Sequence, residues 1–365
     1  MIDDKRRAFM KALFRILIIM TMLGIVLYYS NINNEHAPLE GPNVVQQAIP
    51  SEQHNDDYNE TLSRPETGIS TMIGQSTNSI IEKYGVPSRV DRSAFGYEWW
   101  IYNQTTPIML GVAQDHVTQV YINAENIDIT PYYIGQSVED IYRMTIIDPE
   151  VSVTINDNIY MFTMSEEDTK NRLLVKFDTI YAQLYIDREL ETLSGIRYMD
   201  GKTLVLHRPY EMQFVGELIE EEAPSSFLQF EINRGGGKQL FDLTNTYRQK
   251  FGLEQLQSYD KLNVVAIAHS EDMFLQNYIS HESPTYGSLQ QRLEASNILY
   301  EEADENIAMA YYDAIEAIHG LMNSPDHRAM MLKDHYTHMG TGVYYNYYTQ
   351  IFTKQNLEKQ GDLQQ

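Results

Sequence analysis

The tetrapeptide Ile73-Gly74-Gln75-Ser76 returns as Ile134-Gly135-Gln136-Ser137, and an internal repeat commits a chain to building one unit twice. Each copy opens a short amphipathic segment. In the first, Ile80, Ile81 and Tyr84 fall at helical spacing, and Gly85 and Pro87 stop the helix. In the second, Val138, Ile141 and Tyr142 fall the same way. Strand-like runs follow: Tyr97 to Tyr102, Ile108 to Val112 and Val117 to Ile122, then Ile159 to Met164, Leu173 to Phe177 and Ile180 to Ile186. Helix plus antiparallel meander, twice, predicts an α+β domain over 67–219. Trp99 and Trp100 are adjacent on a strand and point to opposite sides, so at most one is expected in the core, the other covered or docking.

Segment 1–15 sets Lys5, Arg6, Arg7, Lys11 and Arg15 against Asp3 and Asp4. The run Ile16 to Tyr29 carries no charge, and Ala12 to Phe14 before it and Ser30 to Asn34 after it extend the tolerated length, which predicts a transmembrane signal-anchor over 16–32. Basic residues place the N-terminal side in the cytoplasm, and Tyr28 and Tyr29 suit the far interface. The sequence after the apolar run offers a poor cleavage site, which favours retention over removal as a signal peptide. Residues 33–66 are rich in Asn, Glu, Gln and Pro without periodicity and read as a disordered linker. Residues 220–238, with Glu220 to Glu222, Pro224 and Gly235-Gly236-Gly237, read as a second linker. A formal charge of -24 argues against nucleic acid as a partner. The absence of cysteine excludes disulfides, thiolate chemistry and Cys-ligated zinc.

The last third, 239–355, carries the residues with chemistry; 356–365 is a polar tail. Leu240, Leu243, Tyr247 and Phe251 mark a helix that Gly252 ends. A second helix, from about Tyr259 to Tyr278, aligns Leu262, Val265, Ala266, His269 and Met273, so His269 reads as a hydrogen-bonded core histidine. His281 follows in a Ser/Pro/Gly-rich loop, where a polar side chain can point into a cleft. Tyr311 to Met322 is a third amphipathic helix; Ser324-Pro325 then reads as an N-cap and first helical position, with His327 in the first turn. Thr337 to Val343 and Tyr347 to Phe352 are strands, and helix on sheet on helix is the natural packing.

Asn245-x-x-Arg248, Ala268-His269-Ser270-x-Asp272-Met273, Ser280-His281, Glu305-Asn306-Ile307-Ala308, Asn323-Ser324-Pro325-x-His327-Arg328 and Thr337-His338-Met339-Gly340-x-Gly342-Val343 stand in an order and spacing that resembles the CAP superfamily (cysteine-rich secretory, antigen 5 and pathogenesis-related 1) in its bacterial form. Ile73 to Ser76, Tyr84 to Pro87 and Phe95 to Tyr102 resemble the domain that precedes CAP domains in certain Gram-positive surface proteins. The resemblance implies a C-terminal α-β-α sandwich with a central cleft. In many relatives two His and two Glu line that cleft and can hold a divalent metal. His281 matches the first His, Glu305 the first Glu and His327 the second His. The other Glu has no counterpart: Ser324 stands near its place, Leu321 replaces a usual Trp and Asp304 a usual Gly.

Three readings of this cleft (His281, Glu305, His327 and Ser324) stay open. The residues can form a hydrogen-bonded cluster in a binding site without turnover. His281, Glu305 and His327 can hold a divalent metal such as zinc, three ligands with an open position being the catalytic pattern. Such a metal can activate water, with Glu282 as a base. A Ser324–His327 nucleophile lacks the strand-to-helix elbow, and Ser324 is better placed as a helix cap. The expected function is a membrane-anchored extracytoplasmic binding module for a peptide, glycan, lipid or envelope protein. The alternative is a metal-dependent hydrolase acting on peptides or envelope polymers, and a third role is as a regulatory scaffold for another membrane protein.

Overall fold

The computed structural model describes residues 20–22, 37–50, 62–103 and 107–355. The chain divides into two compact units, Met1–Ala37 and Pro38–Gln365. In the first, residues 20–22 are helical; the rest of the expected 16–32 span lies outside the described residues. No helix among the described residues is long and apolar enough to cross a membrane. The 356–365 tail also lies outside them.

In the second unit each copy of the repeat does the same mechanical job. Gly74 and Gly135 sit at φ 86° and 88°, where a side chain would be strained. Their N–H groups donate to the carbonyls of Val117 and Leu193, both at 2.8 Å. Ser76 then caps the helix Thr77–Tyr84, and Ser137 caps Val138–Met144, each hydroxyl accepting the backbone N–H three residues on. The tetrapeptide is thus a turn and a cap that pin a helix to a hairpin. The two copies join: His116–Ile122 pairs antiparallel with Thr192–Asp200, so strands of both form one seven-stranded sheet. Asn158–Thr163, expected in the second meander, instead pairs with Glu150–Ile155 and Glu211–Val215 in a different sheet. The strands of the seven-stranded sheet run in the spatial order Arg89–Arg92, Glu98–Tyr102, Ile108–Ala113, His116–Ile122, Thr192–Asp200, Ile180–Asp187 and Arg172–Phe177.

The C-terminal sheet places Tyr300–Met309 and His338–Tyr344 on either side of Tyr347–Gln355, with short strands Leu39–Glu40 and Gln257–Ser258 at the edges. One face carries the helices Ser226–Lys250, Ala314–Asn323 and Pro325–Met331; the other carries Asp260–Gln276 and Leu289–Ala295. This is the expected three-layer sandwich.

Two segments differ from their linker reading. Within 33–66, Leu39–Glu40 adds a parallel strand to the C-terminal sheet, and Gln46–Ala48 adds one beside Glu211–Val215 in a separate four-stranded sheet. Backbone pairing at sheet edges needs no side-chain pattern, so composition gave no sign of it. Within 220–238, the helix Ser226–Lys250 begins at its Ser225 cap and runs straight through Gly235-Gly236-Gly237. Glycine costs a helix about 1 kcal/mol against alanine, and at Gly235 close approach explains it. A Cβ there would stand 2.9 Å from the Asp91 Cβ of the first domain.

The two domains share a core. Trp99 is buried with Leu240, Tyr247, Ile315 and Ile318, while Trp100, on the opposite side of its strand, packs half-buried against the first domain's own core. At the junction Glu316 accepts from Arg172 (2.8 Å), Gln183 (2.8 Å) and Tyr185 (2.6 Å), all from the first domain. Arg197 pairs with Asp313 at 2.9 Å, and Arg328 with Asp187 at 2.9 Å. The His319 ring lies parallel to Tyr185 at 3.9 Å, its nitrogens bonded to Tyr121 (2.8 Å) and Tyr247 (2.9 Å).

Candidate functional site

Glu305 and Asn306 are consecutive on the strand Tyr300–Met309 and therefore face opposite sides of the sheet. Cross-strand register fixes which is which. Glu305 pairs with Ile351, which packs under the helices Asp260–Gln276 and Leu289–Ala295. Asn306 pairs with Gln350, whose amide reaches Thr244 of the long helix on the other face at 2.7 Å.

On its face Glu305 is the centre of a buried charge cluster. His281 Nδ1 donates to Oε1 at 2.9 Å and His269 Nδ1 to Oε2 at 3.1 Å. The Arg292 guanidinium donates to both oxygens, at 2.7 and 3.0 Å, and also to the His281 carbonyl at 2.9 Å. A carboxylate offers about four lone-pair sites, and these contacts fill all four. Burial pushes Glu305 towards protonation, but the charges of His269 and Arg292 and the hydrogen bonds of both imidazoles outweigh it. Its pKa is held well below the ordinary carboxylate range.

The His281 loop is held by a second carboxylate. Asp272, one turn beyond His269, accepts from Tyr278 (2.5 Å), Ser283 (2.7 Å) and Thr285 (2.8 Å), so the loop closes over the helix that carries His269. Burial would raise the Asp272 pKa, but these hydrogen bonds and one from Gln276 lower it. Beside the cluster opens a cleft of about 620 Å³ with His269 and Arg292 in its lining, walled by Val264, Val265 and Ala268 and flanked by Tyr286.

His327 belongs to the other face. Asn306 holds the His327 carbonyl at 3.1 Å, and Ser324 Oγ lies 2.7 Å from His327 Nδ1. Ser324 makes no side-chain bond to the helix backbone, so its expected role as a capping hydroxyl is replaced by the imidazole contact. Ser324 lines a separate cavity, about 280 Å³, between the two domains. The structure therefore brings His281 and Glu305 together and sets Ser324 and His327 together elsewhere. Glu282 is exposed. Asp304, where the resemblance has glycine, pairs with Lys333 on the His327 side, and Leu321 fills the shared core.

These residues do not fit the three-ligand zinc set. Glu305 has no lone pair left, and His327 is anchored across the sheet by Asn306, so His281 is not joined by the other two expected ligands. Among the described residues no three His, Asp or Glu are grouped as a metal ion requires.

Sequence reading found His281 and Glu305 but not Arg292, which pairs with the carboxylate and holds the His281 carbonyl. Arg292 lies in a short helix with a Ser288/Gln291 capping box, and no spacing relates it to Glu305. His269 is the buried, hydrogen-bonded histidine its apolar stripe indicated, and its partner is the site's own carboxylate.

Two family models match: "CAP-associated N-terminal" over residues 73–210 and "Cysteine-rich secretory protein family" over residues 241–356. A Bacillus subtilis (strain 168) protein, "Uncharacterized membrane protein YlbC", is 40% identical over 295 residues, 80% of this chain and 85% of that protein. The chain belongs to the cysteine-rich secretory protein (CAP) family. An extracellular SCP-domain protein from Bacillus anthracis str. Ames superposes with a TM-score of 0.76 at 35% identity, covering 84% of this chain and 100% of that one. A cysteine-rich secretory protein from Staphylococcus aureus (SAV1118) shares the fold with a TM-score of 0.74 at 24% identity, covering 87% and 98%. The site described above is thus set in a CAP domain, and the repeat domain is its CAP-associated partner.

Proposed function

We propose that this CAP protein is a membrane-anchored, extracytoplasmic binding module that captures a ligand in the cleft beside Glu305 without turning it over. The observation that carries this is the saturated carboxylate. A general base or a metal ligand needs a free lone pair, and Glu305 has given all of its own to Arg292, His269 and His281. What the cluster does instead is hold the loop Ser280 to Gly287 and the helix Leu289–Ala295 in fixed positions around the cleft, which pre-organises a binding surface. The alternative, a metal-dependent hydrolase, requires Arg292 to leave Glu305, at the cost of a buried unpaired charge.

Location rests on the uncharged Ile16 to Tyr29 run, the basic residues before it, and the B. subtilis relative named as a membrane protein. The zinc titration separates the two functional readings. A binding module gives the same thermal midpoint with and without added zinc. A metal-dependent hydrolase gains stability with zinc and loses the gain in His281→Ala. For topology, protease added outside intact cells should remove everything beyond about residue 35 and leave the N-terminus protected. Loss of the N-terminal segment instead would overturn the orientation.

A further inference from the structure

A second cavity, about 250 Å³, lies between the CAP domain and its partner domain, away from the Glu305 cluster. Its walls are aromatic: Phe95, Tyr97 and Trp99 from one domain, Tyr312, Tyr345 and Tyr348 from the other. Tyr345 is 45% exposed and lies parallel to Phe274 at 4.3 Å, so it stands at the mouth. Most of the hydroxyls are used inside the protein. Tyr97 bonds His207 at 3.1 Å, Tyr348 donates to the Tyr311 carbonyl at 3.1 Å, and Tyr312 donates to Glu316 at 2.9 Å. The cavity therefore meets ring carbon rather than O–H donors.

Gln229 and Gln239 also line it. Each gives one amide N–H to the protein, to Asn233 at 2.7 Å and Asp91 at 3.2 Å, which orients the amide and leaves its oxygen to accept a donor from a ligand. The charged groups are internally balanced, Asp313 by Arg197 and Arg92 by Glu98.

The floor adds an independent sign. Gly236 lines the cavity from within a helix, where glycine is destabilising. Unlike Gly235, it is not required by packing: a Cβ would meet Val343 at 3.4 Å, an ordinary contact. A bare backbone at this point keeps the cavity open.

We infer that this interdomain cavity binds a carbohydrate ring. A pyranose has apolar C–H faces that pack on aromatic rings and hydroxyl donors at its rim that match the two amide oxygens. A proline-rich peptide, the other common guest of aromatic grooves, presents carbonyl acceptors and few N–H groups. It would leave the two glutamine oxygens without donors.

The test uses the full chain with tri-N-acetylchitotriose and maltotriose as probes and a polyproline peptide as the competing class. Binding is read by intrinsic fluorescence, since Trp99 lines the cavity, and by thermal midpoint. A saturable response to a sugar is expected. Tyr345→Ala should weaken it about tenfold and Gly236→Leu should abolish it. Gly236→Ala, which fits the helix, should keep or raise the midpoint and so separates filling of the cavity from loss of folding. The inference is overturned if neither sugar gives a saturable response or if the polyproline peptide alone does. It is equally overturned if folded Tyr345→Ala and Gly236→Leu proteins respond as the parent does.

Discussion

Glu305 shows how much one buried carboxylate can hold together, with Arg292, His269 and His281 all bonded to it. Replacing it with Gln leaves Arg292 buried with its charge unmatched, the situation in which breaking a buried pair costs about 3–5 kcal/mol. We expect Glu305→Gln to lower the urea midpoint accordingly, with the denaturant slope unchanged. The pH dependence has a definite sign. The folded pKa of Glu305 lies below its ordinary 4.5, so its stabilising contribution is complete above that value and is lost as pH falls through the folded value. His319 and His207 act in the same direction from a higher pH. Burial, and then the nearby positive charge of Arg197, hold both well below 6.5, so the native protein keeps them neutral while the unfolded chain takes up protons. Stability should be full above pH 6.5 and fall below it by about 1.4 kcal/mol per unit for each histidine. Thermal melts between pH 7 and 5 check this: His319→Gln should remove about half of that slope, and an unchanged slope would contradict the assignment.

Among the elements, the long helix Ser226–Lys250 makes the clearest contrast between a glycine that is needed and one that is not. At Gly235 an added methyl would meet Asp91 at 2.9 Å, whereas at Gly237 the nearest atom is the Thr341 carbonyl oxygen at 3.6 Å. Gly237→Ala should therefore raise stability by about 1 kcal/mol through helix propensity. Gly235→Ala should lower it, because the strand Arg89–Arg92 must move. Equal effects, measured by urea unfolding, would mean that the helix does not contact the first domain as described. The same helix explains Asn245 and Arg248. Asn245 exchanges two hydrogen bonds with Leu256, and Arg248 donates to the carbonyls of Glu254, Met331 and Lys333, so both serve to tie loops rather than to bind ligand.

At the scale of the whole molecule, the domain junction is a core, not a hinge. Glu316 of the CAP domain accepts three hydrogen bonds from the other domain, and Trp99 is 2% exposed beneath the helices it meets. Residues 39–40 and 46–48 add to this by placing a strand in each of two sheets within a few residues of chain. We expect one calorimetric transition for the described domains, with van't Hoff and calorimetric enthalpies in agreement. Glu316→Ala, which strips Arg172 of a buried partner, should cost several kcal/mol, about 3–5, and split the transition in two. A single, unshifted transition in that variant would show that the contact carries little energy.

The sequence alone determined the elements whose causes are local. The Ile-Gly-Gln-Ser pair is a turn glycine and a capping serine, and both functions act within four residues. The helices of the CAP domain follow from apolar spacing, and His269 could be placed in the interior because it shares a stripe with Leu262 and Val265. Tertiary structure alone decided the site. Glu305 and Asn306 differ by one position, yet pairing with Ile351 and Gln350 sends them to opposite faces, so His281 joins one and His327 the other. Arg292 reaches Glu305 through a loop that Asp272 folds back. These contacts are set by register and chain reversal over tens of residues, and no periodicity in the sequence encodes a distance of that kind.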